Sequence, residues 1–192
     1  FILGTDDLGR DIFSRIIFGS RISIIIGFCV VIISLTLGTF LGLIAGYFGG
    51  NLDRVIMRSI DILMSFPSIL LAIVVVAVLG PGIQNAIFAV SFVSIPAFTR
   101  IVRSSVLVEK EKEYTFASQA FGASSFRTLF IEIFPNCLAP LIVQGSLSFS
   151  DAILNAAALS FLGLGVQPPY ASWGNMLENS LSFMRTAPWM AL

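Results

Sequence analysis

Histidine is absent from this sequence, and cysteine occurs only twice, as Cys29 and Cys137. Without histidine the chain has no imidazole for acid–base catalysis and no Cys/His cage for a metal ion. Two widely separated cysteines also rule out a disulfide framework. The 11 lysines and arginines are balanced by 11 aspartates and glutamates, so no broad basic surface is available for nucleic-acid phosphates. We therefore expect neither metal chemistry nor a nucleic-acid partner.

The sequence is instead rich in apolar side chains, which make up 56% of its 192 residues, whereas charged residues make up 11%. Its mean hydropathy of +0.94 is well above that of an ordinary soluble domain. Four stretches without a charged residue are each about as long as a bilayer span of roughly 20 residues, or longer. They cover residues 22–52, 62–99, 133–150 and 152–177. This pattern predicts an all-α, polytopic bundle of transmembrane helices in a lipid bilayer.

We divide these stretches into four membrane-spanning helices. Two glycines and an asparagine at positions 49–51 end the first helix, and the turn at Gly80-Pro81-Gly82 splits the longest stretch into two helices. The expected helices run from about Ile22 to Tyr47, Asp53 to Leu79, Gln84 to Val108 and Asn136 to Leu162. Because the sequence starts with Phe1 and a new apolar segment begins near its end, we expect an excerpt that is incomplete at both ends.

The distribution of basic residues predicts which helix ends face the cytoplasm. Seven lysines and arginines follow the first or the third span, whereas the turn at 80–82 contains none and the segment after the fourth span contains only Arg185. We therefore place the ends of the first and third spans in the cytoplasm. The seven residues are Arg54, Arg58, Arg100, Arg103, Lys110, Lys112 and Arg127.

Residues 1–21 precede the first span on the side that this scheme makes the outer one. Apolar residues recur there at four-residue spacing behind an aspartate that can cap a helix, with arginines between them. We expect a short amphipathic lead-in helix lying on the membrane surface. The residues concerned are Asp7, Leu8, Arg10, Ile12, Arg15, Ile16 and Arg21. The transmembrane domain then covers residues 22–192 and includes an outer-side loop over about 164–186.

A polar segment over about 109–135 connects the third and fourth spans on the cytoplasmic side. Small and aromatic residues at helical spacing predict a short helix that stops at Gly122, and Ser124-Ser125 can cap a second helix that Pro135 ends. Helices of this composition can sit in a groove of a partner, with an aromatic side chain as anchor. An ordinary amphipathic connector explains the same spacing equally well.

This segment resembles the "EAA" loop of the permease subunits of bacterial ABC importers, through Ala117-Ser118, Gly122 and Pro135. Phe116 stands where that motif has its glutamate, and Glu132 and Phe134 stand at its usual Ile and Leu positions. Longer segments are similar to the dipeptide, oligopeptide and nickel permeases, those of dipeptide systems above all. They are GTDDLGRD at 4–11, GLIAGYFGG at 42–50, FPN at 134–136 and LSFLGLGVQPP at 159–169.

The resemblance implies the fold and the partners of a type I ABC importer permease in the bacterial inner membrane. Six spans are typical of the family, so the excerpt lacks the first and the last. The partners implied are a second permease subunit, two ATPase subunits and an external substrate-binding protein. The residues implied in docking on an ATPase are Glu113, Tyr114, Phe116, Ala117, Ser118, Gly122, Ala123 and Pro135.

Two further sets of residues stand out within the spans. Ser34, Gly38, Gly42 and Gly46 put small side chains on one face of the first helix, where another helix can approach closely. We favour packing within this subunit over an interface with a second permease.

In the fourth span Asp151 is an ionisable residue, and burying its charge in the hydrocarbon region would be costly. Ser148 and Asn155 lie on the same helix face. These three residues predict either a polar strip along the translocation path or a hydrogen-bonded cluster between helices.

The sequence has no phosphate-binding G-x-x-x-x-G-K-[ST] loop, because Lys110 and Lys112 are its only lysines and neither follows a glycine. We therefore expect no enzyme activity and no bound cofactor in this chain, with ATP and magnesium held by the partner ATPases. The expected function is import of dipeptides or short peptides by alternating access. A nickel or glutathione permease is the alternative, followed by a proton-coupled secondary transporter that uses Asp151 and, last, a membrane-embedded enzyme.

Overall fold

The fold is taken from a computed structural model, which describes residues 3–190. Within that range the chain is helical and has no strand; a single isolated bridge joins Thr5 and Asp11. This confirms the predicted all-α class. The helices are α1 (Ile12–Phe48), α2 (Gly50–Met64), α3 (Ser68–Leu79), α4 (Ile83–Lys110), α5 (Glu113–Ala120), α6 (Ser125–Arg127), α7 (Phe134–Asn136), α8 (Leu138–Phe161) and α9 (Trp173–Leu181), with a π-helical segment at Thr128–Ile133 and a 3-10 turn at Pro188–Met190.

Two of these helices, α1 and α4, are each long and apolar enough to cross a membrane. Two further spans are formed if each broken pair counts as one: α2 with α3, and the helices of Ser125–Asn136 with α8. A broken helix is tolerated in a membrane protein where neighbouring elements satisfy the freed backbone groups. The four expected spans correspond to two continuous helices and two bent pairs, and the α2–α3 pair bends by 93° at its break.

The first span differs from its expected form, because α1 runs without a break from Ile12 to Phe48. No separate lead-in helix precedes it among the described residues. Neither Gly19 nor Ser20 interrupts the helix, since one weak helix former costs only about 1 kcal/mol and apolar neighbours continue on both sides. The capping residue is Asp11, whose carboxylate accepts hydrogen bonds from the backbone N–H and the hydroxyl of Ser14, and not Asp7.

The second span is not the single helix expected over Asp53 to Leu79. It is interrupted between Met64 and Ser68, where Pro67 lacks a backbone N–H and disfavours a helical conformation at the residue before it. The α2 helix closes with the backbone N–H of Ser65 donating to the carbonyls of Asp61 and Ile62. The Gly-Pro-Gly turn at 80–82 is thus not the only break in this apolar stretch among the described residues.

The described residues cluster into two compact units. Within residues 3–190, one comprises 3–30, Ser68–Phe92 and 149–190, and the other comprises Val31–Pro67 and Val93–Ser148. The second unit contains the segment that connects α4 with α8. Its buried core consists of Leu43, Tyr47, Phe98, Val102, Val106, Leu129, Ile133, Cys137 and Leu141. This core packs the polar segment onto α1 and α4.

The other unit packs α9 and the loop before it against the start of α1. The Trp173 indole N–H donates to the carbonyl of Ile16 at 3.2 Å. Ser172 and Asn175 form a capping box at the start of α9, with each side chain accepting from the other's backbone N–H. The expected outer-side loop over 164–186 therefore contains a helix of its own, which its serine and asparagine start.

Candidate functional site

The connecting segment begins with α5, which has a glycine-dependent end. Gly122 has a φ of +84°, the left-handed conformation that terminates many helices. The backbone N–H of Ala123 donates to the carbonyl of Ser118, and that of Gly122 donates to the carbonyl of Gln119. These two bonds form a Schellman motif, which satisfies carbonyls that the helix end would otherwise leave free. The predicted stop at Gly122 is where α5 ends.

The second half of the segment differs from the single helix expected up to Phe134. Ser124 caps α6 by accepting from the backbone N–H of Arg127 at 3.3 Å, as the sequence predicts. A π-helical segment then covers Thr128–Ile133, and α7 follows. Pro135 does not end the helix. It lies in the first turn of α7, where no backbone N–H is required, and the interruption comes at Cys137.

A polar network around Glu109 ties α5 to the end of α4. The Glu109 carboxylate accepts from the Lys112 ammonium and from the Tyr114 hydroxyl, each at 2.7 Å. The Asn136 side chain donates to the Tyr114 oxygen at 3.3 Å and to the backbone carbonyl of Glu132 at 2.7 Å. Burial, followed by the hydrogen bond to Glu109, raises the pKa of Tyr114 above its usual value, so the phenol stays protonated and continues to donate.

Two further bonds hold α5 on the elements beneath it. The Thr115 hydroxyl is fully buried and donates to the Glu109 carbonyl at 3.0 Å. The Ser118 hydroxyl donates to Glu132 at 2.5 Å, joining α5 to the π-helical segment. Together with the Glu109 network they fix both ends of a helix of only eight residues, which would not be stable alone.

The outer surface of the segment is apolar. Phe121 is 92% exposed, and the rings of Phe126 and Phe130 contact each other at a tilt of 36°, with centroids 4.6 Å apart. At 100° of rotation per residue, Ala117 and Ala120 lie on the same side of the helix as Phe116 and Phe121. We call the exposed group the aromatic patch; it consists of Phe116, Phe121, Phe126, Phe130 and Ile131. Several large apolar side chains exposed on one polar connection are typical of a protein interface.

The predicted docking residues therefore fall into two groups. Phe116 and Ala117 lie on the exposed surface with Gly122, and Glu113 adds a charge at the start of α5. Tyr114 and Ser118 instead take part in the bonds that hold α5 in place. Ala123 is half-buried in the turn, and Pro135 is exposed in α7.

Sequence reasoning did not identify Glu109, Thr115 or Asn136 as part of this site. Glu109 precedes the helix that it holds, and its contact with Asn136 through Tyr114 joins residues more than twenty positions apart. The available signal was a run of alternating charges at residues 109–113, which pattern reading takes for a solvated helix end.

The small residues of α1 contact α4 within the same unit. A Cβ built on Gly38 would lie 2.5 Å from the Cβ of Phe98, one on Gly42 would lie 2.7 Å from Val102, and one on Gly46 would lie 2.8 Å from Val106. Ser34, one turn earlier, is fully buried. This face is thus occupied by α4 of the same chain, as close helix packing across glycines requires.

The three polar residues of the fourth span do not come together. Ser148 is buried and accepts from the Gln144 side chain at 2.9 Å. Asp151 is exposed on the surface of α8, and Asn155 donates to its backbone carbonyl instead of its carboxylate. Among residues 3–190 no hydrogen bond joins these three side chains to one another, and the Asp151 carboxylate is exposed along α8.

A polar cavity of about 360 Å³ opens beside the start of α9. Positively and negatively charged side chains both line it, namely arginines near the start of the chain and a glutamate of α9. The polar residues that line it include Asp7, Arg10, Arg15, Gln167, Asn175, Glu178 and Asn179. Among residues 3–190 no three His, Cys, Asp or Glu side chains are arranged as a metal site.

The sequence profile of one protein family matches residues 38–192, and the family is described as the binding-protein-dependent transport system inner membrane component. This match covers most of the chain. It includes the segment that connects α4 with α8, α8 itself and residues 164–186.

Individual relatives are similar over almost the whole chain. The dipeptide transport system permease protein DppC of Alkalihalophilus pseudofirmus is 53% identical over 98% of this chain and 62% of its own length. The DppC protein of Escherichia coli K12 is 54% identical over 98% of this chain and 63% of its own. The glutathione transport system permease protein GsiD of Pectobacterium atrosepticum is 48% identical over 99% of this chain and 63% of its own. The chain thus spans less than two thirds of the length of these relatives.

Solved structures of the methionine ABC transporter MetNI in inward-facing conformations have a similar fold. One superimposes with a TM-score of 0.78 over 93% of this chain and 85% of that chain, at 19% sequence identity. A second gives 0.76 over 93% and 84%. The likeness at this identity concerns the fold alone, and it confirms the expected type I importer permease architecture.

Proposed function

Because this chain belongs to the family of inner membrane components of binding-protein-dependent transport systems, we propose that it is part of the permease subunit of an ATP-driven importer for dipeptides or other short peptides. The observation that carries the proposal is the 50–54% identity to dipeptide permeases over 98–99% of the chain. The relatives are named permease proteins of transport systems, and the two long apolar helices agree with a multi-pass inner membrane protein.

Glutathione is the alternative substrate that a specific relative favours, since GsiD is 48% identical. Glutathione is itself a short peptide, so the two systems face similar chemistry. Nickel import remains a separate alternative because the sequence motifs are similar in nickel permeases. In such systems the external binding protein selects the substrate together with the permease.

The surface that we propose for ATPase docking is the aromatic patch on the cytoplasmic side. An ATPase subunit binds there, with Phe121, directly after α5, as the anchor beside the small residues of that helix. The Glu109 network and the Ser118–Glu132 bond make α5 move together with α4 and α7. When ATP draws the two ATPases together, this connection transmits the displacement to the spans, which alternate between inward-facing and outward-facing states.

The remaining partners follow from the same assignment. A second permease subunit completes the translocation path, two ATPase subunits hold ATP and magnesium, and a substrate-binding protein docks on the outer face near α9. Asp151 is the residue of the predicted polar strip that is exposed on α8, where it can face the path and attract the amino group of a peptide. Ser148 and Asn155 then shape the helix around it.

Co-purification tests the assembly directly. The full-length protein is isolated from its native membrane in mild detergent, and mass spectrometry identifies the stoichiometric partners of the wild type and of Gly122→Arg. Gly9→Arg is the matched control, because Gly9 also has a positive φ and open space around it but lies outside the cytoplasmic segment. We expect an ATPase and a second permease with the wild type and the control, and loss of the ATPase with Gly122→Arg.

Recovery of the wild-type chain alone would contradict the importer proposal and favour the secondary transporter. Recovery of the ATPase with Gly122→Arg would leave the importer standing but place the docking surface elsewhere. Uptake of a dipeptide, glutathione and nickel by the reconstituted complex, each with its binding protein, then separates the substrate alternatives.

A further inference from the structure

The α2 helix has an exposed surface that the transport function does not account for. It presents three faces along its length, which follow from the 100° rotation per residue. Ile60 lies on the buried face and is 3% exposed. Leu52, Val55 and Ile62 form an apolar stripe and are 53%, 65% and 57% exposed. Beside that stripe runs a third, charged face.

The charges of α2 are not balanced on its own surface. Its two carboxylates are each paired with an arginine of α4: Asp53 with Arg103 through two bonds of 2.5 and 2.7 Å, and Asp61 with Arg100 at 2.5 Å. The described chain offers no carboxylate within ion-pair distance to the two arginines of the exposed face, which are Arg54 and Arg58. Arg54 donates only to the neutral Asn51 side chain. Their two positive charges therefore remain uncompensated.

We propose that α2 lies in the headgroup region of the cytoplasmic leaflet and that Arg54 and Arg58 bind the phosphate of an anionic phospholipid. The two arginines are one turn apart on the same face, so both guanidinium groups can reach one headgroup or two adjacent ones. The apolar stripe beside them reaches toward the acyl chains. This pairing of an apolar stripe with a basic stripe is what an interfacial amphipathic helix requires.

The charge arrangement favours lipid over a protein partner on this face. A covering helix of this protein or of a second permease would bury the apolar stripe but would need carboxylates to match both arginines. An anionic membrane supplies matching charge and apolar contact at once. Arg103 and Arg100 contribute by neutralising Asp53 and Asp61, which would otherwise repel the lipid phosphate.

The first experiment measures lipid retention by the full-length transporter complex. Complexes reconstituted in mixed phosphatidylglycerol and phosphatidylcholine are released in mild detergent, and native mass spectrometry counts the lipids that remain bound. We expect retention of phosphatidylglycerol to fall about 30-fold in R54Q/R58Q, since each arginine near an anionic surface contributes roughly fivefold. Arg127→Gln, which removes another exposed arginine of the same unit, is the control and should change retention little.

The second experiment locates the apolar stripe independently of charge. In a variant lacking Cys29 and Cys137, Val55→Cys is labelled with a fluorophore and exposed to lipids that carry a quencher at a defined depth. We expect quenching from the shallow acyl region of the bilayer. Absence of quenching would overturn the proposal and show that a helix or partner covers this face. Equal phosphatidylglycerol retention by wild type and R54Q/R58Q would overturn the headgroup site, whatever the label reports.

Discussion

Replacing Gly42 with alanine should destabilise the protein through the contact between α1 and α4. The added Cβ would lie 2.7 Å from the backbone oxygen of Thr99 and 2.7 Å from the Cβ of Val102. Neither atom is the end of a flexible side chain, so the helices themselves must separate by several tenths of an ångström. Gly145 offers a matched control within α8, because a Cβ there would find only ordinary contacts at 3.8 and 3.9 Å with Leu35 and Val31.

The magnitude follows from two opposing effects. Alanine is favoured over glycine inside a helix by about 1 kcal/mol, which benefits both variants equally. Overpacking a tight contact costs typically 1–3 kcal/mol, and only Gly42→Ala experiences it. We therefore expect the two variants to differ by about 2 kcal/mol in the free energy of unfolding. For a domain of this size this corresponds to a difference of roughly 4–8 °C in melting temperature.

The measurement is a thermal melt of the full-length permease complex in detergent, followed by size-exclusion chromatography with fluorescence detection. Gly145→Ala should melt at or above the wild-type temperature, and Gly42→Ala should melt below it. Equal melting of the two variants would refute the reasoning, because the distances in the α1–α4 contact would then not reflect a real steric limit.

Three further outcomes follow from the same structure. Phe121→Ala should weaken ATPase binding about 30-fold in a titration and leave the melting temperature unchanged, because the side chain is 92% exposed and makes few contacts of its own. Tyr114→Phe should lower ATP hydrolysis coupled to transport while binding persists, since it removes the hydroxyl between Glu109 and Asn136; unchanged coupling ratios would count against that role. Asp151→Asn should raise the apparent KM for peptides with a free amino group about tenfold, and a KM that does not change across pH and substrates would exclude a direct contact.

The sequence was most informative where a local pattern decides the structure. Long apolar runs predict helices because buried backbone must satisfy its own hydrogen bonds, and both ends of α4 and of α8 lie within two residues of the expected bounds. Gly122 ends α5 as expected, since only the residues around it determine a left-handed turn. The small-residue spacing on α1 likewise identified a contact face before its partner was known.

Prediction was less successful where one local preference competes with another. The α1 helix continues through residues 12–21, which were expected to form part of a separate lead-in helix, because apolar residues flank them on both sides. Pro67, in contrast, interrupts the apolar stretch that was expected to form one helix from Asp53 to Leu79. The π-helical segment has no sequence signature that separates it from an α-helix. The Glu109 network depends on Asn136, which reaches it only once the chain has folded back on itself. Periodicity alone cannot identify such pairs.

The α1–α4 contact also limits how these two helices can move. Gly38, Gly42 and Gly46 receive Phe98, Val102 and Val106 in the same order, so that successive contacts are four positions apart on both helices. The side chains of α4 therefore interdigitate with the glycine positions of α1. Successive contacts are about 6 Å apart at 1.5 Å per residue, so sliding one helix along the other by less than this distance would push a branched or aromatic side chain of α4 against the backbone of α1. Small motions of one helix must carry the other with it, and the paired segment behaves as a single stiff rod.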